Sequence, residues 1–211
     1  DAARNRHLRP DQYQFAPVII GVDPAWTGDD SFEIMLRQGL YSRSLRSVPR
    51  NDNDVEMANI IAHLETEHNA DAVFVDAGYG TGIVSIGRTM GRTWQLVWFA
   101  SKPNDPGYLN KRAEIWGMGK RWLREGGVIG PRDDVLYQDL IGPETVPRMD
   151  GRIQLESKED MKERGVPSPN KADALMLTFA QPVVKRMVMQ NTSRNDRDME
   201  DYDPLASMLG G

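Results

Sequence analysis

The stretch Val18-Ile19-Ile20-Gly21-Val22-Asp23 limits what this chain can become more than any other. Four β-branched residues, interrupted only by Gly21, make the apolar run of a buried strand. The run stops at a carboxylate, and Pro24 and the turn-forming Gly28-Asp29-Asp30 follow. An acid at the end of a buried strand needs a hydrogen-bonding turn, a basic partner or a cation. On this stretch alone Asp23 reads as a turn residue or as a ligand, and the choice depends on which other acids come to lie beside it.

Taken in order, the chain supplies them. Residues 1–16 are polar and aperiodic, with Pro10 and Pro17 as breakers, and read as a linker into the first strand. Residues 31–38 and 40–48 have strand patterns joined by Gly39, so the first three strands form an antiparallel meander. The period then changes. Met57, Ile60, Ile61 and Leu64 make one helical stripe, and Asn53 with Glu56 marks its N-terminus.

Ala72-Val73-Phe74-Val75-Asp76 is a second buried strand closed by an acid, followed by the glycine-rich Ala77-Gly78-Tyr79-Gly80-Thr81-Gly82. A helix over 83–90 and a strand over 95–99 come next, an order that pairs the strands in parallel. A helix over 109–125 ends at Gly126-Gly127, and a short one is expected near 136–140. Asp150-Gly151 marks an extra β-hairpin, and 157–164 reads as a charged helical turn. The final helix opens at Ser168-Pro169, with Ser168 as N-cap and Pro169 at the first helical position. The tryptophans Trp94, Trp98, Trp116 and Trp122 fall inside these elements and read as core.

No apolar run approaches the ~20 residues that cross a bilayer, and the absence of cysteine excludes disulfides and thiolate metal sites. The start, Asp1-Ala2-Ala3-Arg4, has neither an initiator Met nor an apolar leader, and reads as that of a piece of a longer polypeptide. The net charge of −5 does not argue against a nucleic-acid partner. Five acids and two arginines after residue 190 account for −3 of it, so the body is nearly neutral and can carry a basic groove.

Asp173, early in the last helix, is the third acid of note. Were the first and fourth strands adjacent and parallel, Asp23 and Asp76 would emerge at one edge of the sheet. Two carboxylates ~4 Å apart repel by roughly 4 kcal/mol at an effective dielectric of 20. Protonation or cations must relieve that, and oxygen ligands without His or Cys favour Mg²⁺ or Mn²⁺. Asp29 and Asp30 read as auxiliary ligands or, preferably, as the bend into the second strand. Lys158 is placed to pair with phosphate or with the acids. Lys102, Lys111, Arg112 and Arg152 sit at loops and element edges where they would meet backbone phosphates. The glycine-rich 77–82 turn admits a competing reading as a phosphate loop of the actin-like and sugar-kinase type, although it has no Walker lysine.

Three motifs in order carry a resemblance: Val22-Asp23-Pro24-Ala25, Val73-Phe74-Val75-Asp76-Ala77-Gly78-Tyr79-Gly80, and Pro167-Ser168-Pro169-Asn170-Lys171-Ala172-Asp173-Ala174-Leu175-Met176-Leu177 behind the charged 156–165 segment. Over residues 17–181 the chain is similar to the C-terminal nuclease domain of the large terminase subunits of tailed bacteriophages. That resemblance implies an α/β, ribonuclease H-like mixed sheet flanked by helices. It makes residues 17–184 the nuclease domain, between the 1–16 linker and a polar acidic 185–211 tail expected to be disordered.

It further implies an endonuclease that cuts double-stranded DNA concatemers during genome packaging with two Mg²⁺ or Mn²⁺ ions. Asp23 would bridge both ions, with Asp76 on one and Asp173 on the other. A packaging ATPase domain earlier in the same polypeptide, the portal protein and the small terminase subunit are the implied partners, and the host cytoplasm the implied location. The alternative from another class is a docking module whose acidic tail, with Leu205, Met208 and Leu209, folds on a partner such as the portal.

Overall fold

A computed structural model of the chain describes residues 2–24, 31–49, 51–130 and 132–186. Asp29, Asp30 and the apolar cluster of the tail lie outside the described residues. The chain runs α1 (Ala2–Asn5), β1 (Val18–Asp23), β2 (Ser31–Gln38), β3 (Tyr41–Pro49), α2 (Asp54–Glu67), β4 (Ala72–Asp76), α3 (Thr81–Thr89) and β5 (Gln95–Val97). It continues through α4 (Lys111–Glu125), α5 (Asp134–Ile141), β6 (Thr145–Val146), β7 (Gln154–Leu155), α6 (Lys158–Glu163) and α7 (Asn170–Leu177).

The five main strands lie in the order β3-β2-β1-β4-β5, with the expected antiparallel meander and with β1, β4 and β5 parallel. β1 is therefore central and buried on both faces. On one face Ile19, Met35 and Phe74 pack under Ala172, Ala174, Leu175 and Met176 of α7, with α4 and α5 beside it. On the other, Ile20, Val22, Ile34, Val73 and Val75 meet Met57 and Ile61 of α2 and Ile83 of α3.

Gly21 explains the gap in the β-branched run. A Cβ there would lie 1.9 Å from the Ala174 carbonyl oxygen, so α7 rests directly on the strand backbone. A side chain at residue 21 would hold α7 away from the sheet.

Four details differ from the sequence reading. The N-terminal residues form no free linker: Ala3 packs on the core, and the Arg6 guanidinium donates to the carbonyls of Leu123 and Gly127. The 145–155 hairpin has two-residue strands, which puts Asp150-Gly151 inside a wide loop. Trp98 follows β5 and is 58% exposed, while Trp94, Trp116 and Trp122 are buried as expected.

The fourth difference concerns α7, which Ser168 does not cap. Helix α7 begins after Pro169, and its free N–H groups at Lys171 and Ala172 donate to the Asp139 carboxylate of α5. The cap is tertiary because a side chain 32–33 residues upstream supplies the acceptor that a local hydroxyl was expected to give.

Candidate metal centre

The sheet brings two of the three acids together through register alone. Val22 pairs with Val75 in the parallel β1–β4 ladder, so Asp23 and Asp76, the next residues and the last of their strands, emerge side by side. Asp23 is 2% exposed, and Asp76 is half-buried. Asp173, fully buried, descends from the first turn of α7, and the close seat of that helix over Gly21 sets its depth.

Asp173 is held on every side. The Trp116 indole N–H donates to Oδ1 at 2.7 Å, and the Arg112 guanidinium reaches Oδ1 and Oδ2 at 3.2 and 3.3 Å. Lys158 Nζ stands 3.4 Å from Asp173 Oδ2 and 3.6 Å from Asp23 Oδ2, and it donates to Asn170 Oδ1. The Asp173 carboxylate thus accepts three N–H hydrogen bonds and also faces the Lys158 ammonium.

These contacts divide the acids electrostatically. Burial pushes the Asp23 carboxyl well above its ordinary range, Lys158 opposes this, and Asp173 and Asp76 raise it further. Burial also raises Asp76, against amide N–H donation from Gly78. For Asp173, Arg112, Lys158 and the Trp116 indole together outweigh the burial cost, and its pKa falls below the usual value. Burial would lower Lys158, but Asp23 and Asp173 more than offset that and hold it protonated. Asp173 is the settled anion of the group, whereas Asp23 and Asp76 lack enough positive charge.

As they stand, no three His, Cys, Asp or Glu side chains among the described residues converge enough to enclose an ion. The Lys158 ammonium stands between Asp23 and Asp173. The donor set nonetheless fits a hard divalent cation. It is oxygen-only, it carries two carboxylates whose charge burial disfavours, and its one interposed cation sits on a long side chain that is a third exposed. An ion held by Asp23 and Asp173 would compete with that ammonium.

Of the sequence-derived candidates, Asp23, Asp76, Asp173 and Lys158 come together. Lys111 and Arg112 do not serve as surface phosphate contacts: Lys111 is buried against Glu114, and Arg112 is buried on Asp173 and the Glu156 carbonyl. Both sit at the start of α4, whose N-terminal turns are packed inward rather than lying at the surface. Arg152 is exposed but folded onto Asp150 together with Arg148, while Lys102 is exposed in the loop after β5.

Trp116 reads from the sequence as plain core and Arg112 as a phosphate contact, although their i, i+4 spacing already places them on one helical face. Glu33 escaped notice. It is the only acid in the otherwise apolar and neutral 31–36 run, and that isolation was the signal available.

The fold and this site together define a ribonuclease H-like α/β protein with an acidic centre at the carboxyl ends of its two central parallel strands. No family model matches the chain, and no curated protein sequence matches it. Solved structures do match. The nuclease domain of the large terminase subunit gp2 of bacterial virus Sf6 superposes with a TM-score of 0.67 at 23% identity, over 79% of this chain and 89% of that one. A variant of that domain solved with manganese gives 0.65 at 22% identity, over 79% of this chain and 89% of its own. The large terminase nuclease of thermophilic phage G20c with bound magnesium gives 0.59 at 15% identity, over 82% and 83%. The chain has the fold of phage large-terminase nuclease domains.

Proposed function

We propose that this protein is a divalent-metal-dependent endonuclease that cuts double-stranded DNA concatemers during viral genome packaging. The observation that carries this reading is the meeting of Asp23, Asp76 and Asp173, with too little positive charge for the first two. The fold it shares with terminase nucleases solved with manganese and magnesium supports the same conclusion.

Two Mg²⁺ or Mn²⁺ ions would be held by Asp23, Asp76 and Asp173, with Asp23 the most deeply affected by the other two. Bound divalent ions supply Lewis acidity to the phosphate and a nucleophilic water at neutral pH. The chain's own groups do the rest. Arg112 and Trp116 keep Asp173 charged and fixed in direction, so that it need not reorganise when a cation arrives. Lys158 partly neutralises Asp23 and Asp173, and its ammonium would serve beside them as a partner for the scissile phosphate. Trp98, exposed just past the end of β5, and Lys102, exposed in the loop beyond it, follow the strand that pairs with Asp76 and would meet the duplex backbone.

The packaging ATPase domain, the portal protein and the small terminase subunit are the partners that this reading assigns, and the host cytoplasm its location. No helix among the described residues is long and apolar enough to cross a membrane. The phosphate-loop alternative is disfavoured because the amide of Gly78 already donates to Asp76, and the glycine turn thereby serves the acid.

Plasmid cleavage in Mg²⁺ or Mn²⁺ tests the proposal. Asp23→Asn is expected to stay folded and to lose cleavage to the level seen with EDTA. A folded Asp23→Asn protein that cuts as fast as the parent refutes the assignment.

A further inference from the structure

Glu33 lies in the same row as the acidic centre. In the antiparallel β1–β2 ladder it is the direct partner of Asp23. Directly opposed residues project from the same face, with Cα atoms ~4.5–5.5 Å apart. On the other side Ser47 of β3 opposes Glu33, and Ser31 lies two residues away on the same face of the strand. The sheet therefore ends in a row across four strands: Ser47, Glu33, Asp23, Asp76.

The two oxygens of Glu33 are treated differently. Oε1 accepts from Ser31 Oγ at 2.5 Å and from Ser47 Oγ at 2.6 Å, donors that lie toward the strand end and toward β3. Oε2 is buried and has no hydrogen-bond partner among the described residues, in a residue that is 2% exposed. A buried acceptor left unmade costs ~1–3 kcal/mol, and more when charged. The two serines hold one oxygen and so fix the direction of the carboxylate, leaving the other oxygen free away from β3. Asp139, in contact with the N-terminus of α7, also feels the charge of Glu33. The neighbourhood then holds five carboxylates, Glu33, Asp23, Asp76, Asp173 and Asp139, against the two cations Lys158 and Arg112.

We propose that Glu33 is a fourth ligand carboxylate of this centre, offering Oε2 to the divalent cation held by Asp23 on the side away from Asp76. The inference rests on the metal-dependent reading above. Two bland roles fit the observations less well. As a packing residue Glu33 would have no reason to carry a buried, unpartnered oxygen, and as a partner of the serines it would need only one acceptor.

Calorimetric titration of the intact chain with Mn²⁺ alone tests this, with thermal unfolding of the metal-free protein as the fold control. Glu33→Gln keeps the oxygen that accepts from both serines and removes the free anionic oxygen. It is expected to weaken Mn²⁺ binding tenfold or more, or to abolish one of two binding events, while the metal-free Tm stays level or rises. Glu33→Asp keeps the charge and shortens its reach, and it is expected to lose affinity as well. Wild-type affinity in Glu33→Gln overturns the inference. Wild-type affinity in Glu33→Asp also overturns it, because the role would then be one of charge rather than ligation, and this second variant decides if the first does not fold. Failure of the underlying reading looks different: the parent chain would bind no Mn²⁺, or Asp23→Asn would bind it as the parent does.

Discussion

Replacing Gly21 by alanine adds a single methyl group to the middle of β1, at a residue that would itself touch no ion, and is expected to disable the centre. The new Cβ would stand 1.9 Å from the Ala174 carbonyl oxygen, while real Cβ contacts essentially never fall below 3.0 Å. Helix α7 or the strand must therefore retreat by at least about 1 Å, and Thr178 at 3.1 Å leaves no sideways room.

Overpacking of this kind costs ~1–3 kcal/mol. For a chain of this size that lowers Tm by roughly 2–12 °C, at ~2–4 °C per kcal/mol. The larger effect falls on chemistry. Asp173 is the residue before Ala174, so any retreat of α7 carries it away from Asp23 and Asp76. A 1 Å misplacement of catalytic groups costs on the order of 10²-fold in rate. Metal-dependent plasmid cleavage and thermal unfolding, measured side by side, separate the two effects. Gly151→Ala is the control. Gly151, unlike Gly21, has a positive φ of 73°, and it is exposed in the hairpin loop, where an added Cβ would meet nothing within 4 Å. It is expected to lose ~1 kcal/mol of stability and no activity. A Gly21→Ala protein that unfolds at the parent temperature and cuts at the parent rate refutes the claim that α7 is seated on bare strand backbone.

Two further outcomes follow from the electrostatics. Lys158→Met removes the ammonium between Asp23 and Asp173 while keeping its apolar stem, so the metal-free protein is expected to lose ~1–3 kcal/mol. Because the acids then need a cation more, the rise in Tm on adding Mn²⁺ should be larger than in the parent. An equal or smaller rise would show that Lys158 and the ion do not share a position.

Asp139 gives a pH signature. Burial raises its carboxyl from the ordinary 3.8 to about 6, so between those values the folded state holds a proton that the unfolded chain has released. Its contribution to stability is therefore full below pH ~4 and is lost as pH rises through about 6, by up to roughly 3 kcal/mol. Asp139→Asn retains an oxygen for the Lys171 and Ala172 amides and is expected to flatten this part of the stability profile in denaturant titrations from pH 4 to 7. A variant profile that falls as steeply as the parent's would assign the titration to another group.

The sequence alone determined the elements and their order. The β-branched run ending in Asp23, its counterpart ending in Asp76 and the change of period between them sufficed for a meander followed by parallel strands, because periodicity and turn chemistry are local. It also singled out Asp23, Asp76, Asp173 and Lys158, which stand beside one another in the structure. What it missed depends on which surfaces meet. Arg112 looked like a surface cation and Trp116 like plain core, but the inward face of α4 makes both of them donors to Asp173, 57–61 residues away. Glu33 looked like an ordinary strand acid until antiparallel register set it opposite Asp23. Gly21 looked like a flaw in a strand, and the reason for it lies in a helix that begins 149 residues later. A carboxylate's charge, partners and free lone pairs are fixed by neighbours that the chain brings close only on folding, so the tertiary structure alone decided which acids are satisfied and which still need a cation.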